Sequence, residues 1–344
     1  MNNARLYFVL AALGASVGIG NIWLYPNLSF RLTGLFFIPY LFALFLLGVP
    51  LLMLEFSIGQ HFNRNIVDLF ASIRKEFSSI GWLMLFNAMI VMSFYAVVLA
   101  WHLIYFFASF GLQWKNDAKL YFFSNILNSA EFHGFTTLSL AVFIALIVAW
   151  LIIFLYIRKG FESLKKYFLI TMPVLIGLML FFLLYSLKLQ HALSGIHSFL
   201  NPKFGSLFDL DVWINSFSLA VLSLGLSFGI MHAVARKSGK GFILETSSVV
   251  VVFELLFSIA IGLIVFGVLG FLSFKNGIDV NGLAAADYSS GFTVLAQALP
   301  FFHRPVLISF LFFFVLVTFL FIGCFGACLF DNACSGSQIQ DKAL

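Results

Sequence analysis

Glu254 is the lone charged residue between Glu245 and Lys275, set within Val250-Val251-Val252-Phe253 and Leu255-Leu256-Phe257. A carboxylate among apolar neighbours at membrane depth is expensive, and such groups face a bundle interior, a wet cavity or an ion. Its chemistry is to hold a cation or to exchange a proton. Asn21 makes a similar demand, because its amide lies in an apolar run, Gly14-Ala15-Ser16-Val17-Gly18-Ile19-Gly20-Asn21-Ile22-Trp23-Leu24-Tyr25-Pro26. Inside a helix glycine costs roughly 1 kcal/mol relative to alanine and proline about 3. A segment serving only to span lipid gains nothing from them. Unwound backbone survives in a membrane only where protein or a water-filled cavity satisfies its N–H and C=O groups. The run reads as a break whose backbone faces a ligand; a glycine-rich packing face is the alternative.

A second interruption lies in Ser223-Leu224-Gly225-Leu226-Ser227-Phe228-Gly229. Interrupted hydrophobic segments at matching places in two halves of a chain point to a transporter's binding site. Half-helix N-termini there offer positive dipole ends to an anionic group, and freed carbonyls offer oxygens to a cation. Two unrelated glycine faces are the plainer reading. Ser223 and Ser227 can also bond their own helix backbone, and Tyr95 can be a packed tyrosine.

The elements that must position these residues are membrane helices. The 344 residues are 62% hydrophobic and only 10% charged, against about 25% charged in a soluble domain, and the mean hydropathy is +1.06. Spans of about 20 apolar residues fall at roughly 6–27, 34–58, 81–112, 135–157, 166–188, 212–235, 246–272 and 305–330. The third is over-long and invites tilt. The first, with no small-residue cleavage site and further spans behind it, reads as a retained helix rather than a signal peptide. Spans one and six carry the breaks and stand five apart, as an inverted five-helix repeat requires. Of the 19 Lys and Arg, 12 fall on the side that holds the N-terminus, clustered in short loops, and 7 on the other. This bias puts both termini in the cytoplasm.

Other function classes are not expected of these residues. Cys324, Cys328 and Cys334 follow no zinc or disulfide spacing. The seven histidines, His102 and His232 among them, form no paired metal or nucleophile set, so an enzyme is not expected. No charged ring or carbonyl filter motif suggests a channel. The pI near 9.1 reflects loop lysines and arginines, not nucleic-acid binding. Segment 158–166 reads as an orientation signal in contact with lipid headgroups.

The chain resembles the neurotransmitter:sodium symporters, sodium-coupled carriers of amino acids and amines. Gly18 through Pro26 is similar to that family's first-helix signature. Gly34-Leu35-Phe36-Phe37-Ile38-Pro39-Tyr40, Leu47-Gly48-Val49-Pro50-Leu51 and Glu55 through Gln60 resemble its second helix. Tyr95 with Ala100-Trp101 resembles the third. Gly195-Ile196, Phe199-Leu200, Pro202, Phe204, Val212-Trp213 and Ser223 through Gly229 resemble the approach to the sixth, and Phe266 through Phe271 the end of the seventh. The resemblance implies an all-α polytopic membrane protein of two inverted five-helix repeats, with discontinuous helices one and six. It also implies a sodium-coupled secondary transporter for an amino acid or similar small zwitterion, in the plasma membrane.

By motif position, the resemblance implies that the substrate carboxylate meets the Gly18 and Gly20 amides, beside Asn21, and the Tyr95 hydroxyl. Ser223, Gly225 and Phe228 would line the side-chain end. One sodium ion would sit among Ser16, Asn21, Ser223 and Glu254, and a second on backbone oxygens of Gly14 and Val17. Hard cations call for several oxygen ligands. Tyr40, Ser223 and Ser258 match three members of the family's chloride site, but Leu219 stands where its glutamine belongs. With Glu254 supplying negative charge or titrating nearby, chloride dependence is not expected. The segment 276–300, with its apolar stretch Phe292 to Leu299, resembles the external loop helix that caps the vestibule, or is an interfacial helix without that role.

Several positions depart from the pattern. The outer-gate arginine and its aromatic neighbour are replaced by Leu24 and Leu222. Phe325 and Gly326 replace the hydroxyl ligands of the second sodium site. The resemblance stops near Asp331, giving a single transporter domain over 1–330 and a polar tail over 331–344. The first repeat is expected over about 1–190 and a partial second, with three of five helices, over 191–330. Either the chain is a truncated product that cannot transport, a relic or regulatory partner of a full-length carrier, or it completes its fold with another copy or a separately encoded remainder.

Overall fold

The computed structural model describes residues 3–16, 18, 20–32, 36–115, 117–128, 139–158, 161–201, 204–236, 238, 240–277 and 291–335, and these contain helices and turns but no strand. Each expected span is met by helix. The first is α1 (Asn3–Ser16), a π-helical turn (Gly20–Leu24) and α2 (Tyr25–Arg31). The two parts of that span are bent by 45°. Pro26 lies in the first turn of α2, where its missing N–H costs nothing. The second span is α3 (Phe37–Ala43), a π-helical turn (Leu44–Gly48) and α4 (Val49–Phe62), with Pro50 likewise in a first turn. A short amphipathic α5 (Ile66–Ile73) leads into α6 (Ser78–Ala108), which starts a little before the expected boundary and gives way to turns after Ala108.

After the single-turn α7 (Ala118–Leu120) come α8 (Leu140–Arg158) and α9 (Phe161–Leu187). A short α10 (Ala192–Leu200) precedes α11 (Leu210–Ser223) and α12 (Ile230–Arg236), the two halves of the sixth span. Then follow α13 (Ile243–Asn276), α14 (Gly291–Ala298) and α15 (Pro305–Ser335). By length and hydropathy, Phe37–Phe62, Lys75–Ala108, Leu169–Leu187 and Ile243–Asn276 can each cross a membrane, and the bent pair Phe8–Ser16 with Gly20–Arg31 makes a fifth. Leu140–Leu155, Leu210–Ser223 and Pro305–Thr318 are shorter apolar stretches. The spans predicted at 34–58 and 246–272 run longer in the structure, to Phe62 and from Ile243 to Asn276. The added turns carry Gln60, His61, Glu245, Ser273, Lys275 and Asn276, polar residues that suit the headgroup zone past the hydrocarbon width.

Helix α13 runs through the middle of the bundle, packed against α1, α4, α9 and α10. Small residues permit the close approaches. At Gly195, a Cβ would overlap the Phe266 carbonyl and lie 2.7 Å from the Gly270 nitrogen, so α10 and α13 touch backbone to backbone. Gly195→Ala is therefore expected to destabilise the protein by about 1–3 kcal/mol, because a carbonyl cannot swing aside as a side chain can. A lowered midpoint in thermal unfolding of the full chain would report it, and an unchanged midpoint would refute this contact. Aromatic packing fixes the segment after the first break: Tyr25 is fully buried, its ring 5.3 Å from Tyr40 and 6.0 Å from Phe36. On the far side, α14 is held by the Trp114 indole, which donates to the Ala296 carbonyl at 2.9 Å.

Candidate functional site

The two breaks lie side by side. Helix α1 ends at Ser16, and the chain turns at Gly18 before the π-helical turn begins at Gly20. The Asn21 side chain substitutes for the missing ladder: its Oδ1 accepts from the Gly18 amide at 3.2 Å, while the Asn21 amide donates to the Gly18 carbonyl at 3.2 Å. In the second break Gly225, Ser227 and Gly229 all take left-handed backbone, with φ of 64°, 65° and 74°. Such values are easy for glycine and rare for serine. A carboxylate holds the serine there: Glu55 on α4 accepts from the Ser227 amide at 2.7 Å. The breaks also touch, since a Cβ on Gly20 would stand 3.4 Å from that of Ser223, and one on Gly225 would stand 3.5 Å from the Ala15 carbonyl.

Glu254 projects from α13 into this junction and is fully buried, 0% exposed. Its Oε1 accepts from Asn21 Nδ2 at 2.5 Å and from the Tyr40 hydroxyl at 2.9 Å. Asn21 Nδ2 also donates to Ser258 Oγ at 3.0 Å, and the Tyr40 hydroxyl lies 3.1 Å from Ser223 Oγ and 3.4 Å from Ser258 Oγ. The amide orientation of Asn21 follows from these neighbours, because a carboxylate can only accept and the Gly18 N–H can only donate. Four side chains, Asn21, Tyr40, Ser223 and Ser258, thus cluster around one carboxylate. Its second oxygen, Oε2, is buried without a hydrogen-bond partner. An unmatched oxygen on a buried carboxylate is where a cation or a proton gains most.

A cavity of about 20 Å³ adjoins this cluster, lined by Ala15, Met92, Tyr95, Ser223, Gly225 and Phe228 among others. It has room for about one water, far less than an amino acid needs, so the junction is closed in this conformation. The Tyr95 ring reaches across from α6 until its hydroxyl occupies the place a Cβ on Gly18 would take. Leu222 is a further wall of the cavity, and nearby Trp23 faces Trp101 at 6.2 Å between ring centres. The positions that depart from the resemblance's charged outer gate are apolar.

The expected site residues Gly18, Gly20, Asn21, Tyr95, Ser223, Gly225 and Phe228 are all drawn to this junction, as are Tyr40, Ser258 and Glu254. Ser16 is different. Its hydroxyl donates to the Leu13 carbonyl at 3.0 Å, within its own helix. Gly14 is buried in the last turn of α1. Val17 lies outside the described residues, as do the side chains of Phe325 and Gly326, so the expected second ion position rests on α1 alone. Glu55 enters the sequence reading only as part of the second-helix motif, without a role, although a carboxylate in an apolar helix gives the same signal as Glu254. Gln60, one turn further on, clasps the loop after α12: its Oε1 accepts from the Gly241 amide at 2.9 Å and its Nε2 donates to the Gly241 carbonyl at 3.2 Å.

Comparison with known proteins agrees with this architecture. Residues 1–126 and 113–329 match the model of the sodium:neurotransmitter symporter family. An uncharacterized sodium-dependent transporter of Methanocaldococcus jannaschii is 33% identical over 322 residues, which is 92% of this chain and 65% of that protein. A sodium-dependent neutral amino acid transporter of Rattus norvegicus is 30% identical over 298 residues, 78% of this chain and 40% of the relative. A sodium- and chloride-dependent GABA transporter of Drosophila melanogaster is 28% identical over 351 residues, 91% of this chain and 37% of the relative. The chain thus spans between 37% and 65% of the length of these relatives.

Proposed function

Because this chain belongs to the sodium:neurotransmitter symporter family, we propose that it binds sodium together with an amino acid or similar small zwitterion at its two helix breaks, and couples their movement across the membrane. The observation that carries this reading is the Glu254 carboxyl, buried at the junction with Oε2 unmatched. A sodium ion beside it, completed by oxygens from Ser223 and the break backbone, neutralises the charge and supplies what burial removed. The Ser16 hydroxyl donates its proton to Leu13 and keeps its oxygen lone pairs for that ligand set. The substrate carboxylate then takes the Gly18 and Gly20 amides and the Tyr95 hydroxyl. Gly18 N–H is engaged by Asn21 in the closed form, so substrate entry requires that side chain to let go. The lysines and arginines clustered in short loops support an orientation with both termini in the cytoplasm.

Proteoliposomes containing the full chain test the reading directly. A sodium gradient is expected to drive accumulation of radiolabelled neutral amino acids above the level in potassium. Equal uptake in both salts across the panel, with no sodium-dependent binding, overturns it. The hydroxyls of Tyr40, Ser223 and Ser258 already converge around a carboxylate, which leaves a separate anion no positive partner. Replacing chloride by gluconate is accordingly expected to leave sodium-dependent binding unchanged. A loss of binding in gluconate would show that Glu254 does not supply the negative charge.

A further inference from the structure

Between the last turns of α6 and the first turns of α8 lies a second cavity, of about 310 Å³. None of its lining residues borders the small cavity at the helix breaks. On α6 it begins at Leu103, eight residues beyond Tyr95, or about 12 Å further along the helix at ~1.5 Å per residue. Eight of its ten lining residues are apolar, among them Leu103, Phe107, Ile144 and Val148. The other two are Gln113 and Tyr121, which close one end together: the Tyr121 hydroxyl donates to Gln113 Oε1 at 3.0 Å. The Gln113 carbonyl oxygen is thereby used, and its NH₂ remains as the donor at the mouth.

The shape and chemistry restrict the occupant. Along α8 the wall runs from Ala141 to Val148, a rise of about 10 Å at ~1.5 Å per residue. The volume equals about ten groups of water size, each ~30 Å³. That suits one flexible hydrocarbon chain and not the side of a helix, which is about 10–12 Å across. A zwitterionic solute would leave its charges unmatched on an apolar floor. The rim residues Phe107 and Ile144 are 63% and 52% exposed among the described residues, on helices read as membrane spans, so an apolar chain can enter from the side. The segment at the polar end carries Lys115 and Lys119 against one acid, Asp117, whose carboxylate is engaged as the cap of α7 through the Leu120 amide. Residues 114–121 thus carry a formal charge of +1.

We propose that this cavity seats one acyl chain of an anionic phospholipid, with the Gln113 amide donating to the ester region and Lys115 and Lys119 facing the phosphate. The lipid ties α6 to α8 independently of substrate and sodium.

The experiment uses the full chain purified in mild detergent, depleted of lipid, and titrated with palmitoyl-oleoyl phosphatidylglycerol or phosphatidylcholine under native mass spectrometry. One phosphatidylglycerol per chain is expected to be retained, in preference to phosphatidylcholine. Ala145→Phe fills the cavity from α8 and is expected to weaken retention by about tenfold or more, since several methylenes lose their burial. Circular dichroism and melting of that variant without lipid should match the parent. A second variant, Lys115→Ala with Lys119→Ala, leaves the apolar floor intact and should bind both lipids equally. Absence of a retained lipid in the parent overturns the proposal, as does equal retention by Ala145→Phe. So does a parent dimer that Ala145→Phe dissociates, because a second copy would then be the occupant.

Discussion

Glu254→Gln is expected to lower sodium-dependent substrate binding by roughly 10²- to 10³-fold while leaving the chain folded. Removing one partner of a buried charge pair costs about 3–5 kcal/mol, and each ~1.4 kcal/mol is tenfold in affinity. The glutamine keeps an acceptor for Asn21 Nδ2 and Tyr40 OH, which both meet Glu254 Oε1, so the hydrogen-bonded frame survives and only the charge is lost. Glu254→Ala should lose binding as well, but it also strands the two donors, and part of its effect is structural. Ser258→Ala provides the contrast. It removes a neutral hydroxyl that accepts from Asn21, and a neutral hydrogen bond contributes about 0.5–1.5 kcal/mol, so binding should fall by no more than about tenfold. Binding of a radiolabelled neutral amino acid to the purified full chain, measured across a sodium titration, separates these cases. If the glutamine variant keeps the parent's sodium dependence, the carboxylate holds no sodium and the junction must be read without it.

How much of this arrangement is legible in the chain depends on the reach of each signal. The two breaks are written locally. Gly18, Gly20 and Pro26 cannot sustain a regular ladder, and Gly225 and Gly229 take positive φ in the structure. Glu254 is legible because a carboxylate in an apolar helix demands a partner wherever the helix goes. Which partner it finds is not local: Tyr40 and Glu254 stand 214 positions apart, and their pairing follows from the packing of the second and seventh spans. Tyr40 and Ser258 were brought to the site by family resemblance, since a tyrosine or serine in a span has plainer uses. Ser16 has a plainer use as well. A serine in the last turn of a helix can bond its own backbone, and here it reaches Leu13. Glu55 gave the same local warning as Glu254, yet its role as acceptor for the Ser227 amide appears only when α4 meets the second break.

The closest approach in the site yields the second large effect. Because a Cβ at Gly18 would overlap the Tyr95 hydroxyl, with the ring Cζ at 3.4 Å, Gly18→Ala must displace the tyrosine. Overpacking of this kind costs about 1–3 kcal/mol, or a fall of roughly 2–4 °C in melting temperature for each kcal/mol. Binding should fall further than stability, since the displaced hydroxyl and the Gly18 amide are both proposed ligands of the substrate carboxylate. Tyr95→Phe alone removes one hydrogen bond to a charged group, worth about 1.5–3 kcal/mol, and is expected to weaken binding by roughly 10- to 150-fold. The double variant, Gly18→Ala with Tyr95→Phe, distinguishes packing from ligation. Deleting the hydroxyl removes the overlapping oxygen and leaves only the tolerable contact at Cζ, so the melting temperature should return close to that of the parent. Affinity should stay low, because the hydroxyl is absent whether or not the ring has room. The two readouts thus couple with opposite outcomes in one cycle. Recovery of both stability and binding would mean that Tyr95 only packs against the break, and the substrate carboxylate would then need another donor.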